Sequence, residues 1–228
     1  MSAATFSVEG VLDALAAQPH KSPGGGRAVM LVAARRKEGV TTAARAVAEA
    51  AVAGFVYAVD LDLKRNAFAK ALSEYAPLGP KLEGRLSGVS LYAVRSASNT
   101  LIGETTPAYT YHRVGHSRIY AGFFDTRALP AGARVAVSSG PDYWNAARAG
   151  QAHVVVDAPA LDRSEIALRV ARHMDGVVLV VGADRGAAPA AIAAKNALDA
   201  AGANVIGLVY AGATAPVMAI ERLSRQFG

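Results

Sequence analysis

A short basic segment containing a glycine separates a predicted strand from a predicted helix, which is where a phosphate-binding loop would lie. Such a loop supplies backbone N–H groups that cradle phosphates, a lysine that reaches the β- and γ-phosphates and a hydroxyl that ligates Mg²⁺. Residues 34–42, ARRKEGVTT, keep the glycine and the hydroxyl as Gly39 and Thr41, but Val40 stands at the lysine position. The segment therefore predicts a degenerate phosphate loop. An ordinary strand-to-helix turn with Thr41 near the helix cap is the alternative.

The loop carries positive charge at positions other than that of the lysine. Arg35, Arg36 and Lys37 lie within it and could neutralise a phosphate from another direction. The β-branched apolar side chain of Val40 cannot do so, and the loss of a transition-state cation slows phosphoryl transfer by orders of magnitude. The candidate nucleotide-binding residues are Arg36, Lys37, Gly39, Val40, Thr41 and Thr42.

Carboxylates follow two of the predicted strands. Asp60 and Asp62 end the second strand, and Asp157 ends the strand after a variable middle region. Because the carboxyl ends of neighbouring parallel strands meet beside the first loop, these side chains are expected where Mg²⁺ and an attacking hydroxyl or water would sit. We assign Asp60, Asp62 and Asp157 as candidate catalytic residues, vestigial in an inactive protein. Thr41, Asp60 and Asp157 are the candidate Mg²⁺ ligands if nucleotide binds; strand-end solvation or helix capping is the alternative.

Strands and helices alternate around these residues. Residues 28–34, 41–54 and 55–63 indicate a strand, a helix and a second strand, and the alternation resumes in the last third of the chain. Continuous Val, Leu and Ile runs are typical of strands that are covered on both faces, as in a parallel sheet. We predict one α/β domain of the P-loop kind, with a doubly wound, mostly parallel sheet and helices on both faces. It occupies residues 28–228, after an N-terminal helix and glycine-rich linker at 1–27.

The middle of the chain is less regular. Residues 109–124 alternate apolar and polar types on both sides of Gly115, which predicts a hairpin or paired strands. The sequence assigns no function to residues 71–149.

Composition excludes several classes of protein. The chain of 228 residues is 52% hydrophobic and 18% charged, which suits a folded domain. It has no cysteine, so disulfides, thiolate metal sites and cysteine nucleophiles are excluded. The net charge of +6 favours an acidic partner or an anionic membrane surface, but without a long basic run or an aromatic platform we expect no specific nucleic-acid partner. We see no signal peptide or spanning segment and expect a cytoplasmic protein.

Three motifs, in this order along the chain, resemble those of the bacterial tyrosine kinases of exopolysaccharide assembly (BY-kinases), within the deviant-Walker Min/Par P-loop ATPases. The loop AARRKEGVTT resembles S-A-x-P-G-E-G-K-S-T, and VDLDLKRN at 59–66 resembles I-D-A-D-L-R-R-P. HVVVDAPA at 153–160 resembles the Walker B strand Y-V-I-I-D-T-P-P. The resemblance covers residues 28–70 and 150–212, and it implies the P-loop fold and a role in assembling a surface polysaccharide.

The chain departs from that family at the nucleotide site. Val40 removes the phosphate-binding lysine, and Arg36 and Lys37 replace a Pro-Gly pair. Ala211 stands where the family has an asparagine on the adenine side. We therefore expect no firmly bound cofactor, with Mg-ATP and Mg-ADP as the only candidates.

The chain also departs from the family in the segments that serve assembly. The E-x-x-R-x-x-R segment, which helps the kinase domains form rings, reads Glu9, Leu12 and Leu15 here. The last tyrosine is Tyr210, so the C-terminal tyrosine cluster is missing. We expect no oligomeric ring.

The resemblance and these departures together predict a pseudo-kinase or regulatory partner in exopolysaccharide or capsule biosynthesis and export, without catalytic activity. An active tyrosine kinase or ATPase that uses Arg36 or Lys37 in place of the lysine is the alternative, and a Min/Par-like positioning ATPase is a weaker one. The expected partner is an inner-membrane polysaccharide co-polymerase or another export component, reached through the helix at 7–17 and aided by the net positive charge. We also expect peripheral association with the inner face of the membrane.

Two amphipathic segments bear on that association. The predicted helix at 7–17 has an apolar face that must pack on its own domain or on a partner. The segment at 217–227 has the pattern of a helix that either packs on the sheet or targets a membrane.

Overall fold

The computed structural model describes residues 8–21, 25–51, 54–102, 108–183 and 186–211. The helices are α1 (Val8–Ala16), α2 (Val40–Ala50), α3 (Ala67–Ser73), α4 (Asp142–Ala147), α5 (Ile166–Val170) and α6 (Ala187–Ala200). The strands are β1 (Arg27–Ala33), β2 (Val56–Asp60), β3 (Leu78–Glu83), β4 (Tyr92–Arg95), β5 (Leu101–Ile102), β6 (Tyr109–Val114), β7 (Ile119–Phe124), β8 (Arg134–Val137), β9 (His153–Asp157), β10 (Gly176–Gly182) and β11 (Val205–Ala211). Short 3-10 turns lie at Thr126–Ala128, Ala149–Gln151 and Ala171–His173.

An eight-stranded sheet in the order β11-β10-β1-β9-β2-β7-β6-β3 forms the centre of the molecule. The strands from β11 to β7 are parallel, and β6 and β3 continue the sheet as antiparallel strands. Buried side chains of α1, α2 and α3 pack on one face, and those of α4, α5 and α6 pack on the other. The predicted doubly wound, mostly parallel sheet is therefore confirmed.

The central strands are buried because they are covered on both faces. Every residue from Ala28 to Ala33 of β1 is at most 1% exposed, and Val154, Val155 and Val156 of β9 are buried to the same degree. Both strands carry β-branched or aliphatic side chains at consecutive positions, the pattern expected of a parallel sheet between two helical layers. These two strands place the phosphate loop and Asp157 side by side.

The middle region forms two structures. Strands β6 and β7 pair as an antiparallel hairpin whose turn contains Gly115 at φ +50°, so the predicted hairpin is confirmed. Strands β5, β4 and β8 form a separate three-stranded antiparallel sheet that the sequence pattern did not indicate. Its buried residues Tyr92 and Val94 join the same core as Trp144 of α4.

The N-terminal helix packs on the rest of the domain. Val11 and Leu15 of α1 are buried in the core that also contains α2. The Arg27 guanidinium donates hydrogen bonds to the carbonyl oxygens of Ala16 (2.9 Å) and Gln18 (2.5 Å), which fixes the end of the helix to the start of β1. The apolar face of α1 is thus used within the chain.

Two expectations bear on membranes. Among the described residues, no helix is both long enough and apolar enough to cross a bilayer. The amphipathic segment at 217–227 lies outside the described residues.

Candidate functional site

The loop between β1 and α2 has an unusual backbone. Gly39 caps the N-terminus of α2 at φ 86°, ψ 19°, and Lys37 has φ 67°. Left-handed residues close together turn successive N–H groups towards one side, which forms a concave site for an anion. Lys37 adopts this conformation where the resembling kinases have a glycine, although a side chain there costs about 1–2 kcal/mol.

The start of α2 has no side-chain cap. The helix begins at Val40, and the N–H groups of its first turn have no acceptor within the helix itself. Thr41 donates its hydroxyl to Asp157 instead of capping the helix. Thr41 is the second residue of α2 and so lies near the cap, and the alternative of an ordinary strand-to-helix turn stays a prediction. Free N–H groups at the start of an 11-residue helix present positive potential to a bound phosphate.

The basic side chains of the loop have different environments. Arg35 forms an ion pair with Glu38, whose Oε1 accepts from the Arg35 Nε at 3.0 Å and from a terminal nitrogen at 2.8 Å. Arg36 lies 3.6 Å from Asp162 through Nε. Lys37 is exposed and contacts no charged group among the described residues. Of the two residues proposed to replace the missing lysine, Arg36 is thus engaged with a carboxylate and Lys37 is not.

Asp60 and Asp157 lie opposite each other on neighbouring strands. They are paired in the parallel register of β2 and β9. Thr41 Oγ1 donates to Asp157 Oδ2 at 2.6 Å, which joins the start of α2 to the end of β9. Asp60 accepts the N–H groups of Asp62 (2.7 Å) and Phe68 (3.2 Å).

Both carboxyl groups are buried, and neither forms an ion pair with a basic side chain of the described residues. Burial raises the pKa of Asp157 to about 8, with a further rise from the nearby Asp60 carboxylate and an opposing effect from the Thr41 hydroxyl. Burial also raises the pKa of Asp60 to about 6, although the hydrogen bonds from Phe68 and Asp62 lower it. A divalent cation between these groups would stabilise their charged forms.

Asp62 has a different environment from the other two carboxylates. Its Oδ2 lies 3.4 Å from Arg65 Nε and forms a closer ion pair with Arg163. Arg163 belongs to the turn after β9, and the sequence analysis did not identify it. A basic residue six positions after the Asp of the Walker B-like strand is the only signal that the sequence offers.

The structure brings all the predicted site residues to one cavity of about 420 Å³. Its lining includes Arg36, Lys37, Gly39, Val40, Thr41, Thr42, Asp60, Asp62 and Asp157, together with Glu38, Arg65 and Arg163. A second cavity of about 630 Å³ is lined by the same loop together with Gly182, Ala183 and Ala211. Ala211, predicted to replace the family's adenine-side asparagine, therefore lies beside the loop.

Comparison with solved structures identifies the fold. The chain is similar to the crystal structure of the chimerical protein CapA2B2, with 15% sequence identity over 89% of this chain and 82% of that one and a TM-score of 0.54. This chain therefore has the same fold as CapA2B2. The kinase domain of the Escherichia coli tyrosine kinase ETK is also similar, with 15% identity over 83% of this chain and 69% of that one and a TM-score of 0.48. The similarity to CapA2B2 confirms, at the level of the fold, the resemblance predicted from the motifs.

Comparison of sequences adds no relative. No family model matches the chain, and no curated protein matches it.

Proposed function

We propose that this protein binds a nucleoside polyphosphate weakly at the loop between β1 and α2 and acts as a regulatory pseudo-kinase of exopolysaccharide or capsule biosynthesis and export. The observation that carries the binding proposal is the start of α2, which has no side-chain cap, beside the Thr41–Asp157 hydrogen bond. If the side chain of Val40 or the basic side chains of the loop filled the phosphate position, the loop could not bind a phosphate. Instead, Arg35 and Arg36 are paired with Glu38 and Asp162.

The residues present fit a Mg²⁺ ion that accompanies the nucleotide. Thr41, Asp60 and Asp157 supply the hard oxygen donors that Mg²⁺ prefers, and two of them are carboxyls whose pKa values are raised by burial. Among the described residues, no three His, Cys, Asp or Glu side chains form a metal-binding group by themselves. The ion would therefore need phosphate and water oxygens to complete its shell, and we expect it to bind together with the nucleotide.

Val40 is the reason for proposing slow or absent catalysis. It is the first residue of α2 and lines the cavity, at the position from which a lysine would reach the phosphates. An apolar side chain there leaves the negative charge that develops in phosphoryl transfer without its usual cation. We expect a dissociation constant for Mg-ATP of about 0.1–1 mM, equivalent to a binding free energy of about 4–5.5 kcal/mol.

The proposed biological role rests on the order and spacing of the three motifs. In this role, nucleotide occupancy would change the affinity of the protein for a membrane partner, an inner-membrane polysaccharide co-polymerase or another export component. The apolar face of α1 is buried in the domain, so such a partner would contact other surfaces.

Titration of the full chain with Mg-ATP and Mg-ADP tests the proposal, followed by a measurement of ATP hydrolysis under single-turnover conditions. We expect saturable binding and hydrolysis no faster than a protein-free control. Asp157→Ala is the matched variant, because it removes the hydrogen-bond acceptor of Thr41 and should abolish Mg²⁺-dependent binding. If the chain bound neither Mg-ATP nor Mg-ADP, the binding proposal would be refuted.

The second candidate is an active tyrosine kinase or ATPase. The observation in its favour is the elevated pKa of Asp157, about 8, because a carboxyl whose pKa lies near the working pH can take part in proton transfer. Its signature would be hydrolysis that Asp157→Ala abolishes, or phosphotyrosine on protein made without other kinases.

A further inference from the structure

Arg163 stands in a turn that is fixed to the phosphate loop. The N–H of Leu161 donates to the carbonyl of Ala33 at 2.9 Å, and the N–H of Asp162 donates to that of Ala34 at 3.1 Å. The Arg163 N–H closes the turn by donating to Ala160 at 2.9 Å. These bonds join the turn after β9 to the first residues of the loop, so the Arg163 backbone has a defined position beside the cavity.

Two arginines, Arg163 and Arg65, form ion pairs with Asp62, and the Arg163 side chain is the less exposed of the two. The Arg163 side chain is 32% exposed and that of Arg65 is 66% exposed, and both line the cavity. A charge that is partly removed from solvent is screened less and attracts an anion more strongly. Arg163 is therefore the better placed of the two for an anion inside the cavity.

The ion pair with Asp62 leaves Arg163 able to bind a second anion. One terminal nitrogen of Arg163 contacts Asp62 Oδ2. A guanidinium has five N–H donors in a rigid fork, so other donors remain for phosphate oxygens. Arg65 also approaches Asp62, at 3.4 Å, and it would continue to balance that carboxylate if Arg163 turned towards a ligand.

We infer that Arg163 is the cation that binds the phosphates of the ligand in place of the missing loop lysine. The inference rests on the proposed nucleotide binding and names the ligand class more closely, as a nucleoside di- or triphosphate held from the loop on one side and from the turn after β9 on the other. Phosphate binding can then persist although Val40 stands at the lysine position, because the positive charge comes from a different part of the chain. Asp62 holds the guanidinium at the cavity when no ligand is bound.

The test is a set of titrations of the full chain with ATP, ADP and inorganic tripolyphosphate in the presence of Mg²⁺, followed by NMR because millimolar affinities are expected. Arg163→Ala and Arg163→Gln should each weaken binding of all three probes at least about tenfold. Arg65→Ala removes the same charge from the same carboxylate and should change affinity by less than about threefold. Val40→Lys should tighten binding more in the Arg163→Ala background than in the wild-type chain, because the lysine then replaces a missing cation; equal gains in the two backgrounds would indicate a merely structural role for Arg163.

The outcomes separate the two proposals. If the wild-type chain binds none of the three probes, the proposed function fails and this inference fails with it. If the wild-type chain binds but both Arg163 variants bind equally well, only the role of Arg163 is refuted. Equal losses in Arg65→Ala and Arg163→Ala would also refute it, since the effect would then come from net charge. Thermal unfolding of each variant confirms that the comparison is made between folded proteins.

Discussion

Buried carboxylates at the two ends of the parallel strands have opposite environments. We call the end at which the strands begin the amino edge of the sheet, and the end at which they finish its carboxyl edge. At the amino edge, Asp175 is completely buried, and its Oδ2 accepts the Arg148 Nε–H at 2.8 Å and the N–H of Ala28 at 2.7 Å. Its Oδ1 accepts the N–H of Lys21 at 3.0 Å. At the carboxyl edge, Asp157 is nearly as buried, but no basic side chain in the described part of the chain forms an ion pair with it, and it accepts a hydrogen bond from the hydroxyl of Thr41.

This difference distinguishes a carboxylate that stabilises the fold from a carboxylate that is available to a ligand. A buried carboxylate with a guanidinium and several N–H donors has all its partners within the fold, so it contributes to specificity and leaves nothing for a ligand. A buried carboxylate that has no cation beside it is destabilising in its charged form until a cation binds. The comparison supports placing the ligand at the carboxyl edge, and each edge responds differently to substitution.

The largest expected effect is at the amino edge. Arg148→Met should reduce the free energy of unfolding by about 3–5 kcal/mol, because it leaves Asp175 buried without its cation. The guanidinium also donates to the carbonyl oxygen of His173, and that contact would be lost as well. Urea denaturation followed by circular dichroism measures the change. A loss below about 1 kcal/mol would mean that the two edges do not differ as argued.

The exposed ion pair of Lys195 and Asp199 on α6 provides the control. Their nitrogen and oxygen lie 2.7 Å apart, but both side chains are about half exposed. Lys195→Met should therefore change stability by at most about 0.5 kcal/mol.

Replacing Asp157 should have the opposite sign. The folded state raises the pKa of Asp157 to about 8, so it holds that proton more tightly than the unfolded chain does. The contribution of this group to stability is therefore complete below its unfolded pKa, ~4, and is lost as the pH rises towards 8. Asp157→Asn should stabilise the ligand-free protein at pH 8 by about 1–3 kcal/mol while abolishing Mg²⁺-dependent nucleotide binding.

Melting temperatures between pH 5 and pH 9 test the pH dependence. The wild-type protein should lose more stability over this interval than Asp157→Asn. Identical pH profiles for the two proteins would show that Asp157 is not an unbalanced buried carboxyl.

The sequence predicted one edge of the sheet much better than the other. The carboxyl edge could be predicted because a recognisable residue or motif follows or ends each strand there. The loop follows β1, Asp60 ends β2 and Asp157 ends β9. The Arg148–Asp175 pair has no such signal, since its members are far apart in the chain and belong to no motif. Arg163 was missed for a related reason, because its role depends on hydrogen bonds between its turn and the loop.

The three-stranded sheet of the middle region could not be predicted either. Strand β5 has only two residues, and β8 alternates exposed and half-buried positions without a strong apolar face. Pairing partners for such short strands are chosen by tertiary contacts, which local propensity does not encode.

A third prediction concerns Val40 alone. Val40→Lys should tighten Mg-ATP binding at least about tenfold, equivalent to about 1.4 kcal/mol, because a lysine at the start of α2 adds a cation to the existing N–H groups. Val40→Met is the control for side-chain length and should leave affinity within about twofold. Calorimetric titration measures both. A lysine variant that folds but does not bind more tightly would show that the cavity itself excludes the phosphates.

The smallest expected effect concerns the backbone of the loop. Lys37 holds φ at 67°, where a side chain costs about 1–2 kcal/mol and glycine costs almost nothing. Lys37→Gly should therefore raise the free energy of unfolding by about 0.5–1 kcal/mol, reduced from the full strain by the greater entropy of glycine in the unfolded chain. Lys37→Ala removes the same charge but keeps the strain, so it should give no such gain. If both variants gained equally, charge repulsion within the loop would be the cause, and the open edge would be electrostatically rather than conformationally strained.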